Sequence, residues 1–183
     1  MKALVEPLRL TCVNAADPVC GNTGGCCESH LLHSPQELTM FKRILVPTDG
    51  SDITTKATEK AVALAKSVGA EVFTVSVKEP FPYSAISEMQ PTPPQDFFDA
   101  QERIANERVQ AVSSLCKAAG VPCSAHTVEA IHAWEAIIAH AAAMDCDLIV
   151  MASHGRRGMS ALLLGSETQK VLTHTKVPVL VVR

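Results

Sequence analysis

Two short stretches carry the residue types that hold a phosphate or a sugar hydroxyl. One is Pro47-Thr48-Asp49-Gly50-Ser51, directly after the apolar run "RILV". The other runs from Met151 through His154-Gly155-Arg156-Arg157 to Gly165-Ser166, between the apolar runs "DLIV" and "VPVLVV". A helix opening at Gly165-Ser166 presents unpaired backbone N–H groups and a partial positive charge, and both favour an anion. Gly165 allows close backbone approach. Ser166 is placed to cap the helix, and Gln169 three residues on completes an S-x-x-Q capping box. Gly155 and Gly158 permit positive φ in the turn, and Arg156 or Arg157 adds charge-assisted bonds. Asp49 suits a ribose hydroxyl, or a Mg²⁺ or Mn²⁺ shared with phosphate oxygens. The plainer alternative is that the glycines end a strand, Ser166 and Asp49 serve their helices, and the arginines face water. On the glycines alone, that alternative carries more weight.

Other chemistries lack their residues. No Lys-Ser or Lys-Thr follows a glycine at P-loop spacing, and no G-x-G-x-x-G follows the first strand. Neither G-x-S-x-G nor C-x-x-C is present, so His154 has no nucleophile to serve and reads equally as a structural hydrogen-bonder. His132, His140 and His174 lack metal-ligand spacing and read as structural or solvated. Trp134 and Met144 read as core, and Arg103 with Glu107, four apart, as a solvated face.

The elements that must position these stretches alternate from Met40 onward. "KRILVPT" is a buried strand, and "SDITTKATEKAVALAKSVG" a helix with Ala57, Ala61, Leu64, Ala65 and Val68 inward, Ser51 or Asp52 as cap and Gly69 as stop. "AEVFTVSV" is a second strand, and the prolines of "KEPFPYSAISEMQPTPPQ" make a long loop. Asp96 to Ala119 is a second helix, its inner face formed by Phe97, Ile104, Ala111 and Leu115. "PCSAHTVE" is a third strand, Ala133 to Met144 a third helix, "DLIVMAS" a fourth strand, Ser166 to His174 a fourth helix, and "VPVLVV" a fifth strand. Strands alternating with helices give an α/β fold with a doubly wound, five-stranded parallel sheet. In the order 3-2-1-4-5, a ligand sits beyond the carboxyl ends of the first and fourth strands. Both chemical stretches leave those two ends.

Composition sets the outer limits. With 183 residues, 47% hydrophobic and 19% charged, the chain suits one domain and an appendage. A net charge of −3 leaves no basic footprint for nucleic acid, and no apolar run is long enough for a membrane span. Residues 1–39 lack periodicity and hold Cys12, Cys20, Cys26 and Cys27; they read as an unordered extension, or as translation from a start codon upstream of Met40. Cys20, Cys26, Cys27, His30 and His33 match no zinc spacing, so thiol chemistry suits them better than a metal. Seven cysteines without an export signal place the chain in a reducing, cytoplasmic setting.

Residues 40–183 resemble the universal stress protein family. The resemblance rests on "RILVPTDGSD", "AEVFTVSVKEP", "DLIVMASHGRRG" and "LLLGSETQKVLTHTKVPVLVV". The nucleotide-binding branch of that family carries G-x-x-G, nine residues, then G-[S/T]; here Gly155, nine residues and Gly165-Ser166 keep the spacing, while Ala152 stands for the first glycine. The resemblance implies a Rossmann-like fold, a cytoplasmic homodimer, and binding of ATP or another adenine nucleotide with a divalent metal at Asp49; the apolar "VPVLVV" would otherwise be an exposed edge, so the fifth strands are expected to pair across the dimer. By position, Pro47, Thr48 and Asp49 would line the adenosine, Val77 would pack on the base, and Met151, Gly155, Gly165 and Ser166 would surround ribose and phosphates, with Arg156 beside them. Slow ATP hydrolysis or nucleotide-dependent transfer is the runner-up, and an interaction module without nucleotide the third reading.

Overall fold

The short apolar runs form strands covered on both faces. A computed structural model describes residues 40–81, 95–155 and 164–183. The expectations for the amino-terminal extension, most of the proline-rich loop, Arg156, Arg157 and Gly158 lie outside these residues. The elements are β1 (Arg43–Pro47), α1 (Asp52–Val68), β2 (Glu71–Lys78), α2 (Gln95–Ala119), β3 (Cys123–Glu129), α3 (Ala133–Ala143), β4 (Leu148–Ala152), α4 (Ser166–His174) and β5 (Val179–Val182). All strands are parallel, in the order β3-β2-β1-β4-β5. No helix among the described residues is long and apolar enough to cross a membrane.

Two apolar clusters hold the helices to the sheet. On one face, Ile44, Val46, Val72, Leu148 and Val150 meet Ala61, Val62 and Ala65 of α1 and Val112 and Cys116 of α2. On the other, Leu45, Phe73, Val75, Ile149 and Met151 meet Ile137 and Ala141 of α3 and Val171 of α4. Ile44, Leu45, Val46 and Ile149 are fully buried. Each such side chain contributes roughly 1.5–3 kcal/mol relative to exposure.

Helix α1 follows its alanine stripe: Ala57, Ala61 and Ala65 are buried, Ser51 caps the start by accepting from Thr54 N, and Gly69 stops the helix in the left-handed conformation. Helix α2 differs from expectation on two points. It starts at Gln95, and its buried face is Ala105, Val109, Val112 and Cys116, whereas Ile104 and Ala111 are exposed. The reason is helical register. Ala105, Val109, Val112 and Cys116 recur at spacings of four, three and four and form the stripe that meets the sheet, and Ile104 and Ala111 fall beside that stripe. Phe97 packs instead with Phe81 and Phe98, the ring centroids 5.1 and 5.7 Å away.

Strand β5 begins at Val179, two residues later than expected, and α3 ends at Ala143. Trp134 and Met144 are half-buried at the rim of the second cluster, not inside it. The Trp134 indole lies 4.6 Å from the His174 ring, His132 is exposed, and His140 is buried. Arg103 and Glu107 are exposed, as a solvated face requires.

Candidate functional site

The crevice arises from how β1 and β4 pair. They are in register only at Ile44 with Leu148 and Leu45 with Ile149. Beyond that, Val46 and Pro47 pair only with β2, while Met151 and Ala152 pair only with β5. The sheet therefore splits at its carboxyl edge, the place where an open α/β sheet holds ligands. A cavity of about 430 Å³ occupies the split. That is within the range of small-molecule sites.

Pro47, Thr48, Asp49, Val77, Met151, Gly155, Gly165 and Ser166 all line this cavity, as does Ala152. Arg156 lies outside the described residues. The β1–α1 turn is held rigidly. Thr48 N donates to Val75 O (2.9 Å), and Asp49 Oδ1 accepts from Ser51 N and from Thr54 Oγ1, both at 3.0 Å. These bonds fix the Asp49 carboxylate at the mouth. The β4–α4 loop is pinched at its base, where Gly165 N donates to Ser153 O (2.8 Å), and Thr168 Oγ1 of α4 donates to Ala152 O (3.0 Å).

Both glycines are required by close approach. A Cβ on Gly155 would lie 2.5 Å from Asp49 Oδ2, so the two turns meet across the crevice. A Cβ on Gly165 would lie 3.1 Å from His154 Cα and 3.3 Å from Ser153 O. The expectation of positive φ at Gly155 is corrected: its φ is not in that region, and the carboxylate opposite is what excludes a side chain.

A second correction concerns Ser166. The N-cap of α4 is Gly165, with no side-chain cap hydrogen bond, and Ser166 is the first helical residue. The capping box does not form, because the pinch at Gly165 N moves the helix start one residue back and leaves Gln169 N to donate to Gly165 O (2.9 Å). Ser166 is exposed and lines the cavity together with Glu167 and Thr168. Ser166 thus lines the cavity at the helix start without serving as its cap.

Several lining residues carried no motif in the sequence: Thr54, Val75, Arg108, Ile131 and Ile137. Arg108 arrives from the middle of α2, its stem 3.0 Å from where a Cβ on Gly50 would be. Ile131 is 78% exposed at the end of β3, a large apolar side chain on the cavity wall. Its exposure is visible only in three dimensions. His154 also lines the cavity, and its Nδ1 is 3.0 Å from the buried Ser153 Oγ. That contact orients the ring; a buried Ser153 is no nucleophile for an incoming substrate.

Among the described residues, no group of three or more His, Cys, Asp or Glu side chains is arranged to hold a metal alone. Asp49 fits the other mode, in which one carboxylate holds Mg²⁺ or Mn²⁺ jointly with phosphate oxygens.

Residues 40–183 match the family model described as the Universal stress protein family. The chain is 32% identical over 148 residues to Universal stress protein MJ0531 of Methanocaldococcus jannaschii, with 79% of this chain and 83% of that protein covered. It is 35% identical over 146 residues to a universal stress protein of Thermus aquaticus, covering 79% of this chain and all (100%) of the other. The solved structure of the hypothetical protein MJ0577 superposes with a TM-score of 0.66 at 27% identity, covering 78% of this chain and 96% of that one. A universal stress protein in complex with cAMP and one from Archaeoglobus fulgidus in complex with dAMP share the fold, with TM-scores of 0.59 and 0.57 at 23% and 18% identity. Each covers 78% of this chain, and 97% and 98% of those chains respectively. With the family match spanning the whole sheet and both turns of the crevice, the chain belongs to the universal stress protein family.

Proposed function

We propose that this stress protein binds an adenine nucleotide, ATP foremost, in the crevice between β1 and β4, and acts as a cytoplasmic homodimeric regulator. The observation that carries the reading is the meeting of the two turns. Asp49 and Gly155 come within contact of each other, and the start of α4 opens into the same cavity. Pro47, Thr48, Val77 and the exposed Ile131 offer apolar walls for adenosine. Asp49 accepts a ribose hydroxyl or shares a Mg²⁺ or Mn²⁺ with the phosphates. The N–H groups at Ser166 and Glu167, the Ser166 hydroxyl and Arg156 receive the phosphates. The adenylate shared by cAMP and dAMP, held by two proteins of this fold, supports the same ligand class here.

The dimer is proposed through β5. Among the described residues it is an edge strand, bonded only to β4, and Leu180 on it is 42% exposed. Natural edges of this kind are covered. The free thiols at Cys116, Cys123 and Cys146 agree with a reducing compartment.

The test uses purified full-length chain from its own cells. Denaturation and chromatography of the released small molecules should yield adenine nucleotide in amounts approaching the protein. A chain that neither releases nucleotide nor binds added ATP with Mg²⁺ contradicts the reading. Steady turnover of ATP under the same conditions favours the enzymatic alternative.

A further inference from the structure

The edge of the sheet opposite β5 carries a second kind of chemistry. Cys116 lies in the last turn of α2 and Cys123 is the first residue of β3, joined by the tight turn in which Val121 N donates to Cys116 O (2.9 Å). Cys116 is fully buried, whereas Cys123 is partly exposed and packs against the same cluster. Cys123 packs against the cluster that contains Cys116, and Ser113 Oγ, one turn before Cys116 on the same face of α2, donates to Cys123 Sγ (3.7 Å). We propose that Cys116 and Cys123 form an oxidisable dithiol, converted by a hydroperoxide to an intrachain disulfide with Cys123 attacking and Cys116 resolving.

The geometry assigns the two roles. Cys123 sits on β3, an edge strand among the described residues, and is partly exposed to a small oxidant, whereas Cys116 is fully buried. The Cys116 thiol beside it, assisted by Ser113, draws Cys123 down to about 7 against the desolvation that opposes this. The same contact, with burial, raises Cys116, which therefore stays protonated as the donor. Cys146 shows the contrast: burial pushes it up to about 11, and among the described residues no thiol partners it.

The chemistry balances with a hydroperoxide as oxidant. Cys123 thiolate attacks the outer oxygen, the O–O bond breaks, and the alkoxide leaves as alcohol with a proton from water. The product is a sulfenic acid at Cys123. Cys116 sulfur then attacks Cys123 Sγ, the S–O bond breaks, and hydroxide leaves as water with the Cys116 proton. Two thiols lose two electrons and two protons, and the hydroperoxide becomes alcohol and water. A thiol with a pKa near ambient pH is the best attacking group for such steps. Because Cys123 packs on the cluster that holds Cys116 and bonds Ser113 one turn away, a side-chain rotation is the movement that disulfide geometry requires.

The experiment is a disulfide map of the full chain after titration with hydrogen peroxide. Trypsin cleaves after Lys117 and a Glu-specific protease after Glu129, so the peptides Val109–Lys117 and Ala118–Glu129 each hold one of these cysteines and Cys146 falls elsewhere. The expected product is those two peptides joined, lighter by two hydrogens and separated by dithiothreitol. Cys123 should be consumed roughly tenfold or more faster than Cys146 at pH 7. In Cys116→Ser, Cys123 should accumulate as a dimedone-trapped sulfenic acid. In Cys123→Ser, peroxide should leave Cys116 free for alkylation. Recovery of both cysteines singly alkylated from the peroxide-treated native chain overturns the proposal. So does a disulfide that joins Cys123 to Cys12, Cys20, Cys26 or Cys27 instead. The map of the native chain decides the matter even if a serine variant fails to fold.

Discussion

The β1–β4 pair is tied at one end and open at the other. At the amino end, Asp147 accepts from Lys42 N (2.7 Å) and from Arg43 N (3.1 Å), and its own N–H donates to Arg43 O (3.0 Å). Arg43 Nε donates to Met144 O (2.6 Å), while its guanidinium meets Glu71 (2.8 Å) and lies 4.5 Å from the centre of the Phe73 ring. At the carboxyl end the same strands diverge, and Asp49 uses one oxygen to fix its turn and points the other at Gly155 across the crevice. Two aspartates at two ends of one strand pair thus do opposite work. Asp147 closes a gap, and Asp49 borders one.

Exchange of each aspartate should separate these roles. Asp49→Ala should weaken adenine nucleotide binding by about tenfold to a hundredfold, the worth of a hydrogen bond to a charged group of about 1.5–3 kcal/mol, measured by calorimetric titration. Its fold should stay intact by circular dichroism. Asp147→Ala should do the reverse, lowering unfolding free energy by about 1–3 kcal/mol in urea while leaving nucleotide affinity unchanged. If Asp147→Ala changed affinity as strongly as Asp49→Ala, the distinction between the two ends would fail.

A finer pair of substitutions compares the helix starts on either side of the crevice. Ser51 caps α1, so Ser51→Ala should cost about 1 kcal/mol in thermal or urea unfolding. Ser166 caps nothing, so Ser166→Ala should stay within about 0.5 kcal/mol in the same assay and show its effect in nucleotide affinity instead.

The smallest expected effect lies away from both ends. His140 on α3 is buried, its ring 4.8 Å from that of His126 on β3, and its Nε2 has no hydrogen-bond partner among the described residues. Burial, then the charge of His126, holds His140 below the ordinary His value. The unfolded chain therefore takes up the proton more readily. This contribution to stability is fully present above pH about 6.5 and is lost as pH falls toward the folded value. Urea midpoints between pH 5 and 7.5 should show that slope, and His140→Leu should flatten it.

Much of this was legible in the sequence, and the exceptions have physical causes. Alternation gave the parallel doubly wound sheet, whose expected order 3-2-1-4-5 is the one observed, and the glycine spacing located the β4–α4 turn, because backbone approach at Gly155 and Gly165 tolerates no side chain. The inner face of α2 differs from the expected Phe97, Ile104, Ala111 and Leu115 because two apolar stripes lie side by side on this helix, and the sheet takes the one formed by Ala105, Val109, Val112 and Cys116. Ser166 was misplaced as a cap because S-x-x-Q cannot reveal that Gly165 N is engaged by Ser153 O. Arg108 and Ile131 reach the cavity from α2 and the end of β3, and no local pattern announces a contact made by topology.

The most direct test of the central claim is a titration of the full chain with ATP and Mg²⁺, run beside Gly155→Val. The native chain should bind one nucleotide per protomer. The variant, whose side chain would occupy the space beside Asp49 Oδ2, should bind at least about tenfold more weakly while keeping its helical content. Equal affinity in the two proteins, or no binding to the native chain, would contradict an adenylate site in the crevice between β1 and β4.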